Sequence, residues 1–173
     1  VSAARLSRTA GRGRAAAPVR LVHLGLGNFF RAHPCWYTEY APDAAQWGFA
    51  AFTGRGRSPL VGELNEQEGL YTLVSRAADA DRFEVLGSLS RAHWADDNDE
   101  WLRYFEDPDL SAVTITVTEA GYLRGADGGL DTGRPEVQAD IKALRDDPTG
   151  VVRTAPARLV AGIAARGGQR ARE

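Results

Sequence analysis

The stretch of the 173-residue chain best suited to chemistry is Leu21–His33, LVHLGLGNFFRAH. A short apolar run meets Gly25-Leu26-Gly27, and Asn28-Phe29-Phe30-Arg31-Ala32 follows, the pattern of a strand ending in a tight glycine turn and leaving as a helix. Such a turn brings backbone N–H groups and a helix N-terminus to a pyrophosphate, so Gly25–Ala32 is a candidate dinucleotide loop. The third glycine of the GxGxxG pattern would fall at position 30, which is Phe30, and a ring there obstructs the close helix–strand contact that glycine permits. Alone, the glycine pair leaves open a nucleotide loop, a structural turn, and the nucleoside turn of a methyltransferase. The second strand of a dinucleotide fold usually ends on Asp or Glu, which binds the ribose 2′-OH. Here it ends Phe52-Thr-Gly-Arg55-Gly-Arg57-Ser58, and no carboxylate follows until Glu63. Arg55, Arg57 and Ser58 carry the donors a 2′-phosphate needs, or they are solvated loop residues.

Other chemistry-bearing residues form no constellation. His23, His33, His93 and the single Cys35 lack metal-ligand spacing. Asp96-Asp97-Asn98-Asp99-Glu100 reads as a helix start with acids at the favourable end of the dipole. Lys142, the only lysine beside 20 arginines, lies in a polar helix and reads as surface. No catalytic residue and no metal ligand is assigned.

The elements that must position the loop follow from pattern. Pro18 opens a first strand over about 19–25. Asn28 is placed as an N-cap for a helix over 29–40, which Pro34 must either kink or restart with proline in the first turn. Trp47–Thr53 is a continuous apolar run, as expected of a parallel strand buried on both faces, and completes a βαβ unit. A short helix is expected over 60–66, then a hairpin-like excursion from two strands, 70–76 and 82–90. An acidic amphipathic helix over 96–107, stopped by Pro108, precedes a strand over Ala112–Thr118. Helices over 135–144 and 155–165 follow a glycine-rich loop. The fold class is therefore α/β, a Rossmann-type, doubly wound and mostly parallel sheet with an inserted hairpin.

The composition, 43% hydrophobic and 25% charged with a net charge of −2, is that of an ordinary globular domain and gives no pull toward nucleic acid or membrane. Apolar runs are strand-sized, too short for a membrane-spanning helix. One cysteine allows no internal disulfide, and a cytoplasmic setting is expected. Residues 1–17 are basic, small and free of acids, a flexible leader; 18–173 is the folded domain. The absence of methionine and the Arg-rich end at 166–173 suggest a piece of a longer protein.

Gly25-Leu-Gly-Asn-Phe-Phe-Arg-Ala-His33 resembles the signature of the mannitol dehydrogenase/fructuronate reductase family, the long-chain polyol-specific dehydrogenases. Gln67-Glu-Gly-Leu-Tyr-Thr-Leu73, where Asp is more usual than Glu68, and Thr116-Val-Thr-Glu-Ala-Gly-Tyr122 resemble two further family segments in the right order. In that family an aromatic residue and Arg-Ala-His follow the glycines, which removes the objection to Phe30. The resemblance implies an N-terminal domain binding NAD, with NADP as the alternative, in enzymes that interconvert a polyol with a ketose or a hexonate with a keto-uronate. It assigns the cofactor loop to Gly25, Gly27, Asn28, Phe29, Arg31 and Ala32, and puts Thr118 and Glu119 at the nicotinamide end of the sheet. Arg57-Ser58-Pro59 resembles the segment near the adenosine ribose. The family's lysine-bearing substrate domain has no counterpart here, so the expected partners are the cofactor and a sugar alcohol or uronate. Little activity is expected of this chain alone, and its bared domain interface is expected to favour association. A non-catalytic module that senses NAD(H) or completes a partner chain is the competing expectation.

Overall fold

A computed structural model of the protein describes residues 5–9 and 13–170. The chain divides into two compact units, one of Val1–Ala95 with Ser111–Thr116 and one of Asp96–Leu110 with Val117–Glu173.

The first unit is built on a four-stranded parallel sheet in the order β5-β2-β1-β6. Its strands are β1 (Val19–Leu24), β2 (Gly48–Phe52), β5 (Leu89–His93) and β6 (Ala112–Ile115). β1 is flanked by β2 (Leu24 beside Phe52) and by β6 (Leu24 beside Ile115). The chain builds outward from β1 to β2 and β5, then returns to β1's other side with β6. The order thus reverses between β1 and β6, the switch point outside whose carboxyl ends open α/β sheets bind ligands. β2 is buried along its whole length, which is why its sequence GFAAF shows no alternation.

Helix α1 (Asn28–Ala32) and helix α2 (Pro34–Glu39) replace the single expected helix. The break is His33, at φ −120° and ψ −75°, and Pro34 takes the first position of α2, where its missing N–H costs nothing. α3 spans Pro59–Glu66. Phe30, Cys35, Val61 and Leu64 bring these helices onto one core with Phe49, Ala51 and Leu89 of the sheet. Burial pushes the Cys35 thiol up to about 12, so it is a packing group.

The hairpin is β3 (Tyr71–Ser75) against β4 (Arg82–Leu86), antiparallel. The expected strand over 82–90 is corrected: the run breaks at Gly87-Ser88, and Leu89 begins the third strand of the main sheet. Ser90 and Arg91 hide that strand from a pattern search. Ser90 is buried because its hydroxyl donates to the Ala17 carbonyl, and Ser88 is buried through a bond to the Cys35 carbonyl.

The described parts of the leader, 5–9 and 13–17, are docked on this unit rather than loose. Arg8 donates to the carbonyls of Glu68, Gly87 and Leu89. The Glu68 carboxylate accepts from the Ser7 hydroxyl and the Arg8 N–H, which hold it below its ordinary pKa. Arg14 reaches Glu39 and the Trp47 carbonyl, and Ala17 is buried.

The second unit pairs α4 (Asn98–Glu106) with α6 (Ala155–Arg170), and α5 (Pro135–Asp146) packs on α6. Ala157, Ala161 and Ala165 make a buried small-residue stripe on α6, and the Trp101 indole donates to the Arg158 carbonyl. Gly162 belongs to the same close approach: a β-carbon there would lie 2.6 Å from the buried Phe105 ring. Replacing a helical glycine by alanine ordinarily stabilises by about 1 kcal/mol. Gly162→Ala reverses that sign, with a net loss of about 1–3 kcal/mol expected from overpacking, as read by denaturant unfolding. A stability equal to or above wild type would contradict the tight α4–α6 contact.

Lys142 pairs with Asp146 on the exposed face of α5. No helix among the described residues is long and apolar enough to cross a membrane.

Candidate functional site

Gly25 follows directly on the last residue of β1. Its φ of +121° lies where side chains are strained, and a β-carbon on it would stand 2.2 Å from the Thr116 carbonyl oxygen. Thr116 itself still donates its N–H to the Leu24 carbonyl, 2.9 Å away. The glycine is therefore required by the crossing of two chain segments at the switch point. The expected strand over Ala112–Thr118 accordingly ends at Ile115, before the residues that turn past Gly25. The N–H groups of Gly25 and Leu26 both donate to the Phe52 carbonyl at 2.9 Å, hanging the turn on the end of β2.

Gly27 differs in kind. Its φ of −108° suits any residue, and a β-carbon would meet only the Gly25 carbonyl at an ordinary 3.7 Å. Gly27, not Asn28, is the N-cap of α1, because Asn28 already has helical backbone. Having no side chain, this cap supplies no acceptor to the first-turn N–H groups, and the turn carries no acidic residue. Gly27, Asn28 and Phe29 are exposed. The Arg31 side chain folds back over this turn, with Nη2 bonded to Asn28 Oδ1 and Nε 3.4 Å from the Gly27 carbonyl. A cation beside the positive end of a helix is electrostatically unfavourable unless an anion joins it. The backbone of Arg31 is fixed by the Tyr71 hydroxyl, which donates to its carbonyl at 2.7 Å. Ala32 closes α1, and Phe29 stacks on His33 at 4.5 Å.

Phe30 has a physical role where a third glycine would stand. It is fully buried, stacked on His23 of β1 at 3.8 Å and edge-on to Phe49 of β2 at 5.0 Å. The aromatic pair fills the space between helix and sheet that glycine would collapse.

His23 joins the switch point from below. Nδ1 is 2.7 Å from the Thr114 hydroxyl and Nε2 is 2.8 Å from that of Thr116, which also lies 3.2 Å from the Gly25 carbonyl. With the Thr116 hydroxyl donating to Gly25, Nε2 must carry the ring proton and Nδ1 accepts from Thr114. Burial lowers the His23 pKa to about 4, keeping the ring neutral. Sequence reasoning overlooked His23, Thr114 and Thr116 as one assembly. The signal was present in the Thr-Ile-Thr alternation, which puts both hydroxyls on the sheet face of a histidine in the adjacent strand.

The segment after β2 is also ordered. The Thr53 hydroxyl donates to the Gly56 carbonyl at 2.9 Å and accepts the Ala95 N–H at 2.8 Å. Gly56 turns at φ +56°. The Trp94 indole donates to the Ser58 carbonyl at 3.2 Å, and the Arg57 guanidinium lies 5.1 Å from the Trp94 ring centre. Ser58 caps α3, its hydroxyl accepting from the Leu60 N–H. Arg55 and Arg57 are exposed.

Thr118 and Glu119 lie in the second unit. Both are exposed; Thr118 precedes a 3-10 turn over Glu119–Tyr122, and Glu119 lines an open depression of about 620 Å³ with Tyr122, Arg124 and Leu130. The first unit thus brings together the glycine loop and the Arg55–Ser58 segment.

Residues 19–172 match the family described as the mannitol dehydrogenase Rossmann domain. The chain belongs to the mannitol dehydrogenase family. It is 34% identical over 131 residues to the D-mannonate oxidoreductase of Escherichia coli, covering 71% of this chain and 27% of that protein. It is 35% identical over 130 residues to a polyol:NADP oxidoreductase of Gluconobacter oxydans, covering 70% and 27%. Among solved structures, a Pseudomonas fluorescens mannitol 2-dehydrogenase in ternary complex with NAD and D-mannitol shares the fold at a TM-score of 0.82 and 21% identity, over 95% of this chain and 36% of the other. This member of the mannitol dehydrogenase family therefore carries its Rossmann domain and spans about a quarter of the length of those two curated relatives.

Proposed function

We propose that this chain holds NAD(H) for a mannitol dehydrogenase-family oxidoreductase that interconverts a polyol with a ketose or a hexonate with a keto-uronate. The observation that carries the reading is the turn at the β1/β6 switch point. Its first-turn N–H groups have no side-chain cap, it holds no carboxylate, and the Arg31 guanidinium is folded across it. An anionic pyrophosphate supplies what that arrangement lacks. The open space beside Gly27 lets a phosphate approach the backbone. A dinucleotide held there would supply the hydride chemistry, the oxidised form as acceptor and the reduced form as donor. The chain's own contribution is to bind and orient the dinucleotide through Gly25, Gly27, Asn28, Phe29, Arg31 and Ala32. Thr118 and Glu119 are proposed for the nicotinamide end. The setting proposed is cytoplasmic.

Hydride transfer also needs the substrate carbon held against the nicotinamide. Residues 1–173 are accordingly expected to bind NADH without oxidising polyols or reducing fructose at an appreciable rate. Calorimetric titration with NADH and a steady-state assay on the same preparation check both halves. Absent binding would overturn the cofactor reading; robust turnover would show that substrate-holding groups lie within these residues.

A further inference from the structure

We propose that the outer face of the β3–β4 hairpin is an interface for a second copy of this chain, joined about a two-fold axis that runs along the strands. The interface draws on none of the cofactor-loop residues, so it stands or falls apart from the cofactor reading.

Directly paired residues of an antiparallel ladder point to the same side, which gives the hairpin two distinct faces. One face carries Tyr71 opposite Leu86 and Leu73 opposite Glu84. Tyr71 and Leu86 belong to the core of the first unit, Leu73 packs against it, and Glu84 accepts from the Tyr40 hydroxyl. That side holds the hairpin to the fold. The other face carries Thr72 opposite Val85 and Val74 opposite Phe83. Phe83 is 70% exposed and Val74 42%, although both side chains gain much from burial. A single exposed apolar side chain is ordinary, but here a ring and three β-branched neighbours share one face.

The charges at the turn end of the hairpin say what covers this face. Its rows recur at every second residue, so the row beyond Val74 and Phe83 is Arg76 beside Asp81, both exposed. Sheets stacked face to face lie about 10 Å apart and within about 30° of alignment. Two orientations bring the apolar row of one copy onto that of another. With the two-fold across the strands, Arg76 and Asp81 land on Thr72 and Val85 of the second copy, which strips charges of water against apolar groups. With the two-fold along the strands, β3 lies over β4 of the second copy. Val74 then meets Phe83 and Arg76 meets Asp81, each contact made twice, and the four charges alternate in sign. Such self-complementarity is what an isologous interface demands. A face two strands wide and about 20 Å long covers roughly 200 Å², well under the about 800 Å² per partner of a standard interface, so the association is a weak one.

Sedimentation velocity on the 173-residue chain over a concentration series tests this. Wild type is expected to dimerise with a dissociation constant of about 10 µM to 1 mM. Phe83→Ser should weaken the dimer by about 10-fold or more, because the two-fold removes the ring twice. Arg76→Asp and Asp81→Arg each turn both charge contacts into repulsions, and each should weaken it by about 5-fold or more. Mixed in equal amounts, these two single variants place opposite charges in both contacts, so the mixture should regain association towards wild-type strength. All three positions are exposed, and the variants are expected to keep the wild-type melting curve. A wild-type chain still monomeric at about 1 mM would overturn the proposal. So would a dimer undiminished by Phe83→Ser or by the single charge reversals, since it would use another surface, and so would a mixture no stronger than either variant alone.

Discussion

Gly25→Ala is expected to lose about 3 kcal/mol or more of stability, a fall in melting temperature of about 6–12 °C for a chain of this size. Two costs add at one atom. The β-carbon needs a backbone at φ +121°, and it would be 2.2 Å from the Thr116 carbonyl oxygen and 2.8 Å from its hydroxyl. The nearer obstacle is backbone, anchored through the Thr116 N–H to Leu24, and the Thr116 hydroxyl is engaged by His23 and the Gly25 carbonyl. Relief requires parting β6 from β1 at the switch point. Gly27→Ala provides the contrast. Its backbone angle is ordinary and its β-carbon meets nothing closer than 3.7 Å, so stability should stay within about 1 kcal/mol of wild type, the entropy gain offsetting a poorer N-cap. Its NADH affinity should nevertheless fall about 10-fold, because the added methyl occupies the face where a phosphate meets the backbone. Differential scanning calorimetry and NADH titration on the two variants separate a glycine kept for the fold from one kept for a ligand. Equal stability of both would contradict the geometry at Gly25.

The second large effect is acid lability through His23. The fold keeps this ring neutral with a pKa of about 4, against an ordinary value of 6.5 in the unfolded chain. Between those values the unfolded chain binds a proton that the folded chain refuses, so stability rises with pH. The contribution is complete above pH 6.5, declines as pH falls, and by pH 4 about 3 kcal/mol has been lost. Chemical unfolding at a series of pH values, for wild type and for His23→Phe, isolates it. The phenyl ring keeps the stack on Phe30 and cannot titrate, so the variant's profile should be flatter over pH 4–6.5. Parallel profiles would contradict a buried neutral His23.

Much of this architecture is legible in the amino-acid sequence. β1, the glycine turn, β2, the hairpin and the three longer helices follow from periodicity and from proline and glycine punctuation, and Pro34 announced the break between α1 and α2 without saying which side would yield. What escaped did so for physical reasons. β5 reads as a polar tail of β4 because Ser90 and Arg91 interrupt its apolar run, and the bond that buries Ser90 comes from Ala17, 73 residues away. Gly27 takes the cap position because Asn28 already has helical backbone, with its side-chain oxygen accepting from Arg31. Gly25 and Gly27 look equivalent in a motif, yet one stands at an obligatory chain crossing and the other at an open face. Phe30 was an obstacle when judged against a glycine fingerprint and a core residue once its partners His23 and Phe49 were in place.

The central claim is that the first turn of α1 meets the pyrophosphate of NAD(H). The most direct measurement is a backbone amide NMR titration of the ¹⁵N-labelled chain with NADH. The account predicts its largest shifts at the amides of Gly27–Arg31, with smaller ones along 53–58, and the same shifts lost in Gly27→Ala. NADH-induced shifts absent from Gly27–Arg31, or centred on another surface, would contradict it.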